Sequence, residues 1–293
     1  MEIFGIYVPL ITPFKEGRVE EAGLRKLVDY LIAEGVAGLI PCGTTGESAT
    51  LSHEEHRRVV EIVVEQTAQR VPVIAGAGSN NTIEAVELTR HAEKVGADGT
   101  LQVVPYYVRP SQAGIIEHFK AIANATPLPM ILYNIPKRTG VLMEVSTVLE
   151  LAKAPNIIGI KQSGVDLGDS MEVIRQAPGF AVLAGDDNLV FPITAVGGRG
   201  AIAASAHIAT REWVKMVELL GQGKLSEAKE IHYRLLPLSK VLFIEANPAP
   251  LKAALEMLGL PAGEPRLPIL PATEQCREQI RAVLGEMGLQ VSC

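Results

Sequence analysis

"NIIGIKQS" (156–163) sets Ile157, Ile158 and Ile160 almost without a polar break and then reaches a lysine, Lys161. A strand with one wet face alternates apolar and polar residues. A run this continuous belongs to a strand covered on both faces, as in a parallel sheet. Similar runs recur as "GIYVPLIT" (5–12), "AGLIPCG" (37–43), "VPVIAGAG" (71–78), "GTLQVVPY" (99–106), "LPMILYNIP" (128–136), "FAVLAGDD" (180–187) and "GAIAASAH" (200–207), so eight runs start roughly 20–35 residues apart.

Helix patterns lie between them. In "EEAGLRKLVDYLIAEG" (20–35), Leu24, Leu27, Val28 and Leu31 share one face. "SHEEHRRVVEIVVEQTAQR" (52–70) opens on Ser52 with Glu55 three residues on, a capping box. "NTIEAVELTRHAEKVGA" (81–97) closes near Gly96, a C-cap glycine. Eight strands alternating with helices predict an α/β fold, a (β/α)8 TIM barrel. The alternative is an open, doubly wound sheet. That fold usually has fewer strands, and no G-x-G-x-x-G follows a strand here, since "GAGSNN" (76–81) lacks the third glycine. After residue 208 the chain turns helical over 210–243, 248–260 and 272–289, with a Pro-rich joint at 261–271. The expected division is a catalytic barrel over 1–208 and a helical C-terminal extension over 209–293.

Composition narrows the class. With 47% hydrophobic and 20% charged residues among 293, the chain has enough apolar material for a large core. The net charge of −6, without a long basic run, argues against nucleic acid or an anionic membrane as partner. Three cysteines, Cys42, Cys276 and Cys293, form no C-x-x-C pair, so neither a disulfide framework nor a zinc site is expected. The first stretch, "MEIFGIYVPLITPF", contains Glu2 and Pro9 and lacks a basic start, so it reads as a strand and not a signal peptide. No apolar run reaches the ~18 residues a membrane span needs. A soluble, cytoplasmic protein is expected.

Active sites of such barrels lie at the C-terminal ends of the strands. The polar residues there are "GTTGES" (43–48), Tyr106 and Tyr107, Tyr133 and Asn134 followed by Arg138, then Lys161, then Asp186 and Asp187. A lysine amine desolvated at a barrel mouth loses its proton more readily and can attack a ketone as a nucleophile. The other reading is a lysine that snorkels to the rim and pairs with a carboxylate. In "GTTGES", Gly43 and Gly46 let backbone N–H groups turn toward an anion, and Thr44 and Thr45 can donate to a carboxylate. The same motif also reads as a turn that caps the next helix. Tyr133 could shuttle protons, and Arg138 could clamp a carboxylate or stand free in a loop. His53 and His56 are three apart on a helix, but no third metal ligand is apparent, so no metal is expected.

"GTTGES", "YNIPKRTG" and "GIK", in this order on strands two, five and six, resemble the pyruvate-dependent class I aldolases, which include the dihydrodipicolinate synthases and N-acetylneuraminate lyases. The likeness runs from "VPLITPF" to "NPAPLK" (247–252) and is greatest to the dihydrodipicolinate synthases. It implies a lyase in which Lys161 forms an imine with pyruvate and no separate cofactor is used. Tyr133 would relay protons with Thr44 and with Tyr107, the latter reached from a neighbouring subunit across a dimer interface. Thr44 and Thr45 would hold the pyruvate carboxylate, Arg138 the carboxylate of L-aspartate 4-semialdehyde, and Gly185 and Ile202 would line the pocket. A homotetramer, a dimer of dimers, is implied.

The resemblance further implies a place in lysine biosynthesis, making the ring precursor of lysine, and an allosteric site for L-lysine, its end product, at Ser48, Ala49, His53, His56, Asn80, Glu84 and Tyr106. This gives the two histidines a role other than metal binding. Many relatives carry an acidic residue after the lysine, whereas this chain has Gln162. Alternation should turn residue 162 away from Lys161. A related aldolase acting on another aldehyde such as a sugar acid, a non-catalytic sensor barrel and a pyridoxal phosphate enzyme are the competing readings.

Overall fold

The eight apolar runs become eight parallel strands of one sheet. In the computed structural model, which describes residues 2–291, they are β1 (Gly5–Pro9), β2 (Gly38–Ile40), β3 (Ile74–Gly76), β4 (Gly99–Val103), β5 (Met130–Asn134), β6 (Ile157–Gln162), β7 (Ala181–Ala184) and β8 (Gly200–Ile202). Their order across the sheet is β2-β1-β8-β7-β6-β5-β4-β3. A parallel bridge from Leu39 in β2 to Val73, just ahead of β3, brings the two end strands together and wraps the sheet into a barrel. The open-sheet alternative is thereby excluded.

Alternate side chains point to opposite faces of a strand. Tyr7, Ile40, Ile74, Leu101, Ile131, Tyr133, Leu183 and Ile202 therefore fill the lumen as one apolar cluster. Val8, Leu39, Leu132, Ile160, Val182 and Ala201 face outward into a second cluster under the helices. The register between β5 and β6 slips at Met130/Ile131, so that Gly159 faces Ile131. Beyond the slip, Ile160 pairs with Leu132 on the outside and Lys161 with Tyr133 on the inside.

The strands are shorter than the apolar runs that announce them. Leu10 and Ile11 are fully buried yet lie past the end of β1, because burial continues where the chain turns into the mouth loops and ladder pairing stops. The helices around the barrel are α1 (Glu21–Ala33), α2 (His53–Thr67), α3 (Thr82–Lys94), α4 (Gln112–Ala123), the short α5 (Pro136–Thr139), α6 (Val145–Leu151), α7 (Leu167–Gln176), α8 (Val190–Ala195) and α9 (Thr210–Gly221). The capping box at α2 is formed in both directions between Ser52 and Glu55. Gly96, with φ of 85°, follows α3 in the left-handed region where a glycine is cheapest.

The helical run expected over 210–243 is divided. Gly223 takes φ of 75° and stops α9, and a second helix, α10 (Leu225–Val241), begins two residues later. A small hairpin, Phe14–Lys15 with Arg18–Val19, was not expected. Its turn is Glu16–Gly17, both at positive φ, a less usual pair for a tight turn than Asn-Gly. Helices α11 (Ala249–Met257) and α12 (Glu274–Glu286) complete the chain. α9 lies against β1 and α8, and α10 packs on α9. Trp213, Leu235, Leu251 and Ile280 join the same apolar cluster as Ile6 and Val8, so the C-terminal helices share the barrel's outer core. Cys42 and Cys276 are buried free thiols, and Cys293 lies outside the described residues. Among the described residues no helix is long and apolar enough to cross a membrane.

Three histidines are buried in neutral form. His207 donates from Nδ1 to the Ala204 carbonyl (2.8 Å) and accepts at Nε2 from the Ile11 N–H (3.2 Å). His56 donates from Nε2 to the Gly76 carbonyl (2.9 Å), and His118 meets the Thr82 hydroxyl (2.9 Å). Burial pushes each from 6.5 down to about 4. Between those values the unfolded chain binds protons that the folded chain refuses. Stability therefore falls as pH drops from about 6.5 to about 4, by roughly 1 kcal/mol per pH unit for each such histidine. Thermal unfolding at pH 7 and pH 5 checks this: the melting temperature is lower at pH 5, and equal values refute the assignment.

Candidate active site

Lys161 stands on the lumen side of β6, level with Tyr133 of β5 and Leu183 of β7. It is 6% exposed, and its Nζ lies 4.4 Å from the centroid of the Tyr133 ring. Among the described residues it makes no ion pair within 4.0 Å. Asp187 lies beyond β7 with its Oδ2 accepting from the Ser205 N–H (2.6 Å). Burial raises its carboxyl above the usual range, although the Ser205 hydrogen bonds and the nearby Lys161 charge pull the other way.

Gly185 bears on the site by what it lacks. Its N–H donates to the Gln162 carbonyl (2.7 Å), and a Cβ there would sit 2.9 Å from Lys161 Cε and 2.8 Å from that carbonyl, and against Ser163 Oγ. The lysine stem occupies the space a side chain would take. Gln162 pairs with Asn134 and Ala184, one step along from the Tyr133–Lys161 and Lys161–Leu183 pairs. Alternation thus carries it to the outer face, as expected.

"GTTGES" forms the turn from β2 toward α2. Glu47 takes φ of 55°, and the Thr12 hydroxyl donates to the Gly46 carbonyl (2.7 Å). The C-terminal segment reaches into this turn. Asn247 Nδ2 donates to Thr45 Oγ1 (3.1 Å), and Lys252 Nζ meets Glu47 Oε1 (2.5 Å) as an ion pair with both side chains almost fully buried. The Arg266 N–H donates to Glu47 Oε2 (2.8 Å), and its guanidinium reaches Glu55 (2.6 Å) and the Thr50 carbonyl (3.1 Å). The guanidinium holds the Glu55 carboxyl down at about 2. Lys252 and Arg266 each place their charge 4.2 Å from the Phe14 ring centroid. None of Asn247, Lys252 and Arg266 was singled out from the sequence. A lysine inside the otherwise apolar "APLKAAL" (249–255) was the available signal.

A cavity of about 520 Å³ opens at this mouth. Thr44, Arg138, Ser48, Ala49, His53, His56, Glu84 and Tyr106 all line it, together with Asn247. Arg138, on α5, is exposed and makes no ion pair among the described residues. His53 Nε2 is 3.3 Å from Glu84, whose other oxygen accepts from the Ser79 hydroxyl.

Other predicted residues lie off this cavity. Asn80 is half-buried on the loop before α3 and does not line it. Lys161, Tyr133 and Ile202 sit deeper in the lumen, and Thr45 is buried beneath the turn. Tyr107 differs from Lys161 and Tyr133 in being 87% exposed, and it takes φ of 70°. Among the described residues no group of three or more His, Cys, Asp or Glu is placed to hold a metal.

The family model of the dihydrodipicolinate synthetases matches residues 2–287. A curated relative, the 4-hydroxy-tetrahydrodipicolinate synthase of Syntrophus aciditrophicus (strain SB), is 47% identical over 286 residues, covering 97% of this chain and 98% of that one. The crystal structure of dihydrodipicolinate synthase from Aquifex aeolicus superposes with a TM-score of 0.97 at 43% identity, over 99% of this chain and 100% of that one. The enzyme from Cyanidioschyzon merolae, crystallised with lysine bound, superposes with a TM-score of 0.96 at 43% identity, over 99% and 100%. With a lysine beside a tyrosine in the barrel mouth and this likeness along nearly its whole length, the chain belongs to the dihydrodipicolinate synthetase family.

Proposed function

We propose that this protein condenses pyruvate with L-aspartate 4-semialdehyde through an imine on Lys161, in the cytoplasm, as a step toward diaminopimelate and lysine. The observation that carries the reading is the Lys161–Tyr133 pair, with Nζ 4.4 Å from the ring centroid in a buried mouth whose opening presents Thr44 and an unpaired Arg138. The Lys161 amine attacks the ketone carbon, and loss of water leaves an iminium. Removal of a proton from the adjacent methyl gives an enamine, whose carbon attacks the aldehyde. The substrate's own amine then displaces Lys161 as the ring closes.

Tyr133 moves the protons of these steps, in a chain with Thr44 and with Tyr107 of a neighbouring subunit. The exposure of Tyr107 on one protomer supports its service to another, within a homotetramer built as a dimer of dimers. Thr44 and Thr45 hold the pyruvate carboxylate, and Arg138 holds that of the semialdehyde in a planar fork. Because the imine is made with the substrate itself, the chemistry calls for no separate cofactor.

L-Lysine inhibits by binding where Ser48, Ala49, His53, His56, Glu84 and Tyr106 line the cavity, with Asn80 on the adjoining loop. The lysine bound to the Cyanidioschyzon merolae enzyme supports this. Tyr106 adjoins Tyr107, so occupancy of that region couples to the proton chain. The test is turnover with pyruvate and each of two aldehydes, aspartate semialdehyde and a sugar-acid aldehyde, with and without millimolar L-lysine. Turnover of the semialdehyde, slowed by lysine, is expected. Turnover of only the sugar-acid aldehyde overturns the substrate, and a rate indifferent to lysine overturns the regulation.

A further inference from the structure

The C-terminal segment enters the barrel mouth at Asn247, which is 6% exposed and hydrogen-bonded to Thr45 across 202 residues of sequence. Asn247 Nδ2 is the donor and Thr45 Oγ1 the acceptor, at 3.1 Å. A threonine hydroxyl has a single proton to donate. Once the amide donor occupies one lone pair of Thr45, that proton points away from Asn247. Among the described residues no other group engages the Thr45 hydroxyl.

The far end of the amide is also informative. Asn247 Oδ1 is buried and has no hydrogen-bond partner, and Asn247 lines the cavity beside Thr44 and Arg138. A buried orphan acceptor needs an explanation, and a site that a ligand fills supplies one. The bond is not needed to dock the segment. Lys252 on Glu47 and Arg266 on Glu47, Glu55 and the Thr50 carbonyl already hold it there.

We propose that Asn247 is a positioning residue: it orients the Thr45 hydroxyl as a donor toward the carboxylate of the α-keto acid bound on Lys161. The C-terminal helices thereby complete a pocket that the barrel alone leaves unoriented. The inference rests on the reading of Thr44 and Thr45 as the carboxylate cradle. With the amide reversed, Thr45 would spend its proton on Asn247 and have none for a substrate.

The test is the pyruvate concentration that half-saturates borohydride trapping on Lys161, measured for wild type, N247A, N247D, T45V and the N247A/T45V double variant. N247A raises it about tenfold, close to the lower end of what a hydrogen bond to a charged group contributes. N247D raises it further, because its carboxylate accepts the Thr45 proton and repels the substrate. The double variant is no weaker than T45V alone, since Asn247 acts only through Thr45. Turnover at saturating pyruvate stays within a few-fold for the Asn247 variants, and their melting temperatures show that they are folded.

N247D that matches wild type overturns the proposal. So do N247A and T45V effects that multiply, or an N247A that lowers only the melting temperature. If N247A does not fold, the near-isosteric N247D carries the comparison with T45V. A wild type that pyruvate does not label is a different result: it removes the pyruvate reading and this inference with it.

Discussion

Replacing Lys161 by arginine lowers the rate of condensation by on the order of 10³-fold or more and abolishes the pyruvate adduct trapped by borohydride, the effect expected when a covalent nucleophile is lost. Arginine keeps a positive charge and a long stem but is never a free base at working pH, so it cannot form the imine. The substitution separates charge from nucleophilicity in a pocket where Lys161 is 6% exposed and makes no ion pair among the described residues. Mass spectrometry of the trapped wild type locates the added mass on the peptide containing Lys161. An adduct that persists in the arginine variant, or appears on another residue, rules out this mechanism.

Replacing Glu47 by glutamine destabilises the fold by about 3–5 kcal/mol, because it leaves the Lys252 ammonium buried without its countercharge. The two side chains are 1% and 2% exposed and meet at 2.5 Å. Burial already pulls Lys252 below the ordinary lysine range against the opposing pull of Glu47. Without the carboxylate, Lys252 retains the Phe14 ring at 4.2 Å and a long contact to the Glu264 carbonyl (3.5 Å). The double variant E47Q/K252M removes both charges and recovers much of the loss, since a neutral, well-packed pair costs little relative to a buried ion pair. Denaturant midpoints of the wild type, both single variants and the double variant check this. A Glu47→Gln protein as stable as wild type would show that the pair contributes nothing. Glu47 lies two residues from Thr45, so the same variant also loosens the turn that presents Thr44 and Thr45.

The legible parts of the molecule were those with a local physical cause. Continuous apolar runs marked all eight barrel strands because a parallel strand with helices outside and a filled lumen inside meets water on neither face. Ser52 and Glu55 marked the start of α2 because an N-cap is satisfied within four residues. Gly223 inside an apolar-periodic stretch marked a break less plainly. A glycine within a helix is tolerated, and only its positive φ shows the chain turning there. The Glu16–Gly17 hairpin escaped notice because two-residue strands are too short to show alternation.

For the site, the sequence by itself determined the chemical groups and their level in the barrel. Lys161, Tyr133 and "GTTGES" had to stand at strand ends, because a strand that runs apolar to its last residue delivers the next polar ones to the mouth. Alternation likewise settled that Gln162 turns away from the lumen. Only the tertiary structure decided which groups meet. It set Tyr133 beside Lys161, placed Thr44 and Arg138 on one cavity with Glu84 and Tyr106, left Asn80 off it, and left Tyr107 exposed. It also brought Asn247, Lys252 and Arg266 onto Thr45 and Glu47 from some 200 residues away. Such contacts have no period and no local signature. They exist because buried polar groups must find partners, and which partner lies within 3 Å depends on the path of the whole chain.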